Sequence, residues 1–151
     1  MKIALDGQFE VAAAPERAFA FLTDPQHFAP LLPMFRELKD VDGNRFRIVL
    51  DIGVPQIRGR AEAEVSFVER VTNRKAAFAT TVRHALGVAD STLSFTMSEK
   101  AGGSSIQWTC ESIVRGTLAS LAAGLLKPLA KRNVAAMIES VQRELGAREA
   151  A

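Results

Sequence analysis

The stretch IRGRAEAEVSFVER, residues 57–70, constrains the fold more than any other part of the chain. Ile57, Gly59, Ala61, Ala63, Val65 and Phe67 alternate with Arg58, Arg60, Glu62, Glu64 and Ser66. A period of two puts successive side chains on opposite sides of a strand. One face is therefore small and apolar, the other charged. A strand with one wet face belongs in an antiparallel sheet, and its dry face must be covered.

Other segments repeat the pattern. KIALDGQFEV sets Ile3, Leu5, Gly7, Phe9 and Val11 against Lys2, Ala4, Asp6, Gln8 and Glu10. RFRIVLDIG sets Phe46, Ile48, Leu50 and Ile52 against Arg45, Arg47, Val49 and Asp51. KAAFATTVRH, VADSTLSFTMSE and SSIQWTCESIVRG follow at short spacing, with turn signals at Thr72-Asn73 and Gly102-Gly103.

Between the first two of these strands, AAPERAFAFLTD predicts a helix opened by Pro15 and ended by Asp24-Pro25. PQHFAPLLP leaves room for one more short helix before Pro30 and Pro33. After the last strand, Leu118, Leu121, Leu125, Leu129, Ile138, Val141 and Leu145 recur at helical spacing. They predict one helix from about Thr117 to Leu145, roughly 40 Å long at 1.5 Å per residue. Gly124 and Pro128 predict a kink in its first half. The expected fold class is α+β: a curved antiparallel sheet of about seven strands around a long C-terminal helix, with two short helices between strands 1 and 2. Residues 1–146 are read as one domain and 147–151 as a short tail.

Composition narrows the function. The chain has 151 residues, 48% hydrophobic and 24% charged, which suits one globular domain with a real core. A net charge of +2 is too weak to imply nucleic-acid binding. Cys110 is the only cysteine, so no intrachain disulfide can form. The N-terminus reads as a strand, not a signal peptide, and no apolar run approaches a membrane span. The expected location is cytoplasmic. SLAAGLLKPLAKR joins apolar residues to Lys127, Lys131 and Arg132, which also suits peripheral contact with an anionic membrane or the solvated side of a core helix.

The long helix is the one element large enough to cover the sheet's apolar face. Side-chain size on that face matters. Gly59, Ala61, Ala63, Thr80, Ser91, Cys110 and Ser112 are small, with Phe78, Phe95 and Trp108 around them. Either they let the helix approach closely, or they leave an apolar cavity. FLTDPQHFAPLLPMFREL, residues 21–38, is a proline-rich apolar segment placed to form the rim of such a cavity. The expected lining is Phe28, Leu32, Phe35, Leu50, Ala61, Ala63, Phe78, Thr80, Phe95, Trp108, Cys110, Leu121 and Leu125. Thr80 or Cys110 would orient a polar head group, and Ala61→Phe would block binding.

With these residues in view, the chain resembles the START-like, helix-grip superfamily (SRPBCC). Within it the chain resembles the CoxG family, named for the G component of carbon monoxide dehydrogenase. The resemblance rests on GQFEVAAAPERAFAFLTDP, LLPMFRELK, DIGVPQIRGRAEAEV and the Ala/Leu-rich last helix. The first motif is widespread in the superfamily, whereas IGVPQIRGR is more particular to CoxG proteins. The family usually has Pro-Gly where this chain has Pro33-Met34. FAPLLPMFRE is also similar to the coenzyme-Q-binding branch. The resemblance implies a carrier or chaperone for a hydrophobic small molecule, a quinone or other isoprenoid lipid, serving a redox enzyme or its assembly.

Catalysis is the weaker expectation. His27 and His84 are far apart in sequence, with no Cys or Asp spaced to complete a metal site. Asp90 and Glu111 fall on the outward phase, and the chain has no Tyr. No cofactor, metal or catalytic residue is expected. A polyketide cyclase or dehydratase using His84, and a protein-interaction module with a filled core, remain the alternatives.

Overall fold

The computed structural model describes residues 1–121 and 124–146; the side chain of Leu121 and the residues beyond 146 lie outside the description. The elements run β1 (Lys2–Val11), α1 (Pro15–Leu22), α2 (Pro25–Phe28), a 3-10 turn (Ala29–Leu31), β2 (Phe35–Lys39) and β3 (Arg45–Val54). They continue with β4 (Ile57–Val71), β5 (Lys75–His84), β6 (Gly87–Lys100), β7 (Gly103–Arg115), α3 (Thr117–Leu121) and α4 (Leu126–Leu145). The seven strands form one antiparallel sheet in the order β1-β7-β6-β5-β4-β3-β2.

The register carries the alternation across the sheet. Ala63 stands opposite Ile48 and Val82, and Phe95 opposite Ala76 and Trp108, so the apolar sets share one face. A bulge between Phe67 and Glu69 inserts Val68 into β4 and leaves it exposed. Buried Phe46, Phe78, Phe95, Ile106, Val141 and Leu145 belong to the main core cluster. Ile3, Ile57, Val114 and Leu118 form a second cluster.

Two details depart from the sequence reading. Phe35–Lys39 is a strand, though its five residues follow prolines and its pairing with β3 shifts between Phe35 and Glu37. That irregularity hides the alternation. The final helix is broken, not kinked: Gly124 and Leu125 form a turn between α3 and α4. Pro128 falls in the first turn of α4, where a missing N–H breaks no helical bond. At 20 residues, α4 is about 30 Å long.

The two ends of this helical region are fixed differently. The Leu118 N–H donates to the Leu86 carbonyl at 2.6 Å, which ties α3 to the β5–β6 turn. At the other end, the N–H groups of Ala12 and Ala13 donate to the carbonyls of Gly146 and Leu145 at 2.8 and 3.0 Å. Those bonds satisfy carbonyls that a helix end would otherwise leave unpaired.

Candidate ligand cavity

A cavity of about 390 Å³ lies between the sheet and α4. The sheet supplies Phe9, Ile48, Leu50, Ala63, Val65, Phe78, Thr80, Val82, Leu93, Phe95, Ile106, Trp108 and Cys110. These are the period-two positions of the inner face, for example Phe78, Thr80 and Val82 on β5. The helix supplies Asn133, Val134, Met137, Ile138 and Val141, a stripe at helical spacing. Leu22, Phe28, Leu32, Pro33 and Met34 complete the wall from α1 to the start of β2. Leu93 lines the cavity and is still 38% exposed, so the space opens to solvent.

The rim segment is held by its own backbone chemistry. Asp24 caps α2 by accepting from the Gln26 N–H at 3.0 Å, and Pro25 opens that helix. Phe28 packs edge-on against Phe46 and Phe78, with ring centres 5.7 and 5.9 Å away. Met34 adopts φ +66°, a left-handed conformation that glycine takes at least cost. The turn holds this conformation with methionine in it, and the Met34 carbonyl accepts from the Asp51 N–H at 2.9 Å.

Nine expected residues meet at the cavity: Phe28, Leu32, Leu50, Ala63, Phe78, Thr80, Phe95, Trp108 and Cys110. Three expected residues do not line it. Phe35 opens β2 beside the register shift and packs against the main core cluster. Ala61 is opposite Leu50, which does line the cavity, but is itself only 1% exposed and contributes nothing to the lining. Leu125 packs on the second cluster, because the helix breaks where a continuous one would have carried it over the sheet. The side chain of Leu121 lies outside the described residues. Small residues therefore serve both purposes: Ala63 leaves space, and Ala61 permits close packing.

Sequence reasoning missed the helix stripe, which is indistinguishable from a core stripe by periodicity. It also missed Asn133. A lone amide on an apolar helical face, in a residue type that favours caps over helix interiors, was the available signal.

Trp108 sits directly across from Gly7. A Cβ on Gly7 would lie 2.8 Å from Trp108 Cζ2 and 3.0 Å from Nε1, so the indole rests on bare backbone. Among the described residues its buried Nε1 has no hydrogen-bond partner. Gly7→Ala is expected to push the ring toward the cavity and weaken binding about tenfold, the scale of 1–3 kcal/mol of overpacking. Trp108 is the only tryptophan, so a shifted emission maximum checks the displacement directly. An unchanged spectrum and affinity would contradict it.

The polar inner-face groups are few. Thr80, Ser91 and Ser112 share one row across β5, β6 and β7, with the two serine Oγ atoms 2.6 Å apart. Burial pushes the Cys110 thiol above its ordinary pKa, against a smaller opposing effect of its hydrogen bond with Ser112. A protonated thiol is a poor nucleophile. Cys110 is therefore expected to alkylate more slowly than free cysteine at neutral pH; alkylation at the free rate would place it outside the cavity.

Neither histidine lines the cavity. His27 stacks on Phe21 at 5.5 Å and lies 3.2 Å from Asp24. His84 accepts the Leu86 N–H on Nδ1 at 3.1 Å, which leaves Nε2 to donate to the Arg58 carbonyl at 2.8 Å. It clamps two hairpin ends. Asp90 and Glu111 pair with Arg115 and Lys2 on the outer face. Among the described residues no group of His, Cys, Asp and Glu could hold a metal ion.

A sheet wrapped against one helix is an arrangement that distant proteins share. The profile of the carbon monoxide dehydrogenase CoxG family matches residues 7–146. The chain belongs to the CoxG family. No curated protein matches it. Among solved structures, a conserved protein from Geobacillus kaustophilus superposes with a TM-score of 0.86 at 15% identity, covering 95% of each chain. Protein Ms6760 from Mycobacterium smegmatis gives 0.67 at 17% identity, covering 94% of this chain and 90% of that one. The di-domain ARO/CYC StfQ from the steffimycin biosynthetic pathway gives 0.69 at 13% identity, covering 96% of this CoxG-family chain and 51% of StfQ. At these identities the likeness is one of fold, and the fold is helix-grip. Among the described residues, no helix of the CoxG-family chain is long and apolar enough to cross a membrane.

Proposed function

We propose that this CoxG-family protein is an accessory carrier whose cavity binds a hydrophobic small molecule. A quinone or another isoprenoid lipid is the favoured ligand, delivered to a redox enzyme or to its assembly. The observation that carries the proposal is the lining itself: among the described residues no charged side chain contributes to it, and the space opens to solvent beside Leu93. Pockets for small molecules are concave and mostly apolar, with few polar groups, in the range of about 300–1,000 Å³. A filled-core interaction module would not leave this volume.

The cyclase or dehydratase alternative needs a general acid or base at the ligand. Among the described lining residues Cys110 is the one titratable side chain, and its pKa is raised. His84 is engaged with Arg58 and Leu86 instead. Carriage is the better-supported reading.

Native mass spectrometry of the purified protein, with mass analysis of an organic extract, tests it. A stoichiometric quinone or isoprenoid lipid is expected. A clean apo mass that persists after incubation with quinones and lipids would overturn the proposal. Peripheral membrane contact through the exposed Lys127, Lys131 and Arg132 belongs to the same proposal. Flotation with phosphatidylserine-containing vesicles should be salt-sensitive. Absence of flotation at low salt would remove that part.

A further inference from the structure

We infer that Asn133 selects for a neutral ligand that carries a carbonyl or hydroxyl on an otherwise apolar body; this rests on the ligand-binding reading of the cavity. Asn133 comes from α4, on the helix wall, in a stripe otherwise built from Val134, Met137, Ile138 and Val141. Its amide carries two donors and one acceptor oxygen. Among the described residues no hydrogen bond engages its side chain. On the sheet wall, the Thr80 hydroxyl is likewise unengaged. Asn133 and Thr80 thus face one apolar space from opposite walls without a partner, in a lining where the buried Trp108 Nε1 also lacks one.

While water occupies the open cavity it can satisfy both groups. A hydrocarbon ligand would expel that water and strand the amide, which costs the desolvation of a polar group with nothing gained. A ligand with a carbonyl or hydroxyl restores the bond. A carboxylate or phosphate would bring a charge into a lining that, among the described residues, holds no cation to meet it. The pattern rejects both extremes: pure hydrocarbons and charged amphiphiles. The discrimination resembles sites that reject an analogue lacking the hydrogen-bonding group because a buried polar partner is then left alone.

Three near-isosteric probes test this with the intact chain: 2-acetylnaphthalene, 2-ethylnaphthalene and 2-naphthoate, titrated against the wild-type protein, Asn133→Leu and Asn133→Ala. Asn133→Leu should weaken the ketone about tenfold, the scale of one hydrogen bond to an otherwise unsatisfied amide, and leave the hydrocarbon unchanged or tighter. Asn133→Ala should show the same split, which keeps the test intact if the leucine variant folds poorly. Circular dichroism verifies the fold of each. Equal effects on ketone and hydrocarbon would overturn the role of Asn133 while leaving the cavity reading in place. Naphthoate binding as tight as the ketone would overturn the selection for neutrality. If none of the probes binds the wild-type protein, the cavity reading falls, and the inference with it.

Discussion

Ala63→Phe is expected to abolish ligand binding, with affinity reduced at least about 100-fold, while the protein stays folded. Ala63 lies on the cavity wall between Ile48 and Val82, and its methyl group faces open space. A phenyl ring there occupies ligand volume and is not driven into packed neighbours. Ala61→Phe, two residues earlier on the same strand, should do the opposite. Ala61 is fully packed and lines no cavity, so the larger ring overpacks the interior and costs about 1–3 kcal/mol of stability. Titration with a prenylated quinone and thermal melts of the two variants read both effects. Unimpaired binding by Ala63→Phe would mean the ligand sits elsewhere.

The second large effect is on stability. Gly87 opens β6 with φ +157°, and a Cβ there would lie 2.2 Å from the Arg115 carbonyl oxygen and 2.9 Å from Leu118 Cβ. The first of these is backbone, which cannot rotate away. Gly87→Ala must therefore separate β6 from the β7–α3 connection and disturb the Leu86–Leu118 hydrogen bond beside it. The expected loss is about 3 kcal/mol, or roughly 6–12 °C in the melting temperature of a domain this size. Gly43→Ala is the control: nothing lies within 4 Å of its added methyl, and its melting temperature should barely move. Equal melting temperatures for the two variants would show that the strand separation is not enforced as described.

Most of the fold was legible because its signals are local. Period-two alternation marks β1 and β3 to β7, and Pro15 and Asp24-Pro25 bracket α1. The part that escaped is set by three-dimensional context. β2 shows no clean alternation because its register shifts beside prolines, and its pairing depends on β3. The break before α4 goes with Leu125 and Leu126 packing on the second cluster, which a helical repeat of leucines cannot express. The cavity followed the same rule. Inner-face parity identified Ala63, Thr80 and Trp108, but parity gives a side, not a depth. It could not separate Ala63 from Ala61, which share a face and differ only in what lies above them. Nor could it place Asn133, whose significance appears only when the helix wall is seen to face empty space.

The strand order has a consequence for how the chain is made. β1 is synthesised first, yet its hydrogen-bonding partner is β7, the last strand, with Val11 paired to Ser104. Every other strand meets a sequence neighbour across a short hairpin. At translation rates of about 5–20 residues per second, β1 waits roughly 5–20 seconds for its partner to leave the ribosome. The six hairpin-linked strands can pair in the order they emerge, whereas the contact between β1 and β7 closes a loop of nearly a hundred residues. Docking of the N-terminal strand is thus the step that commits a nascent chain to a finished sheet.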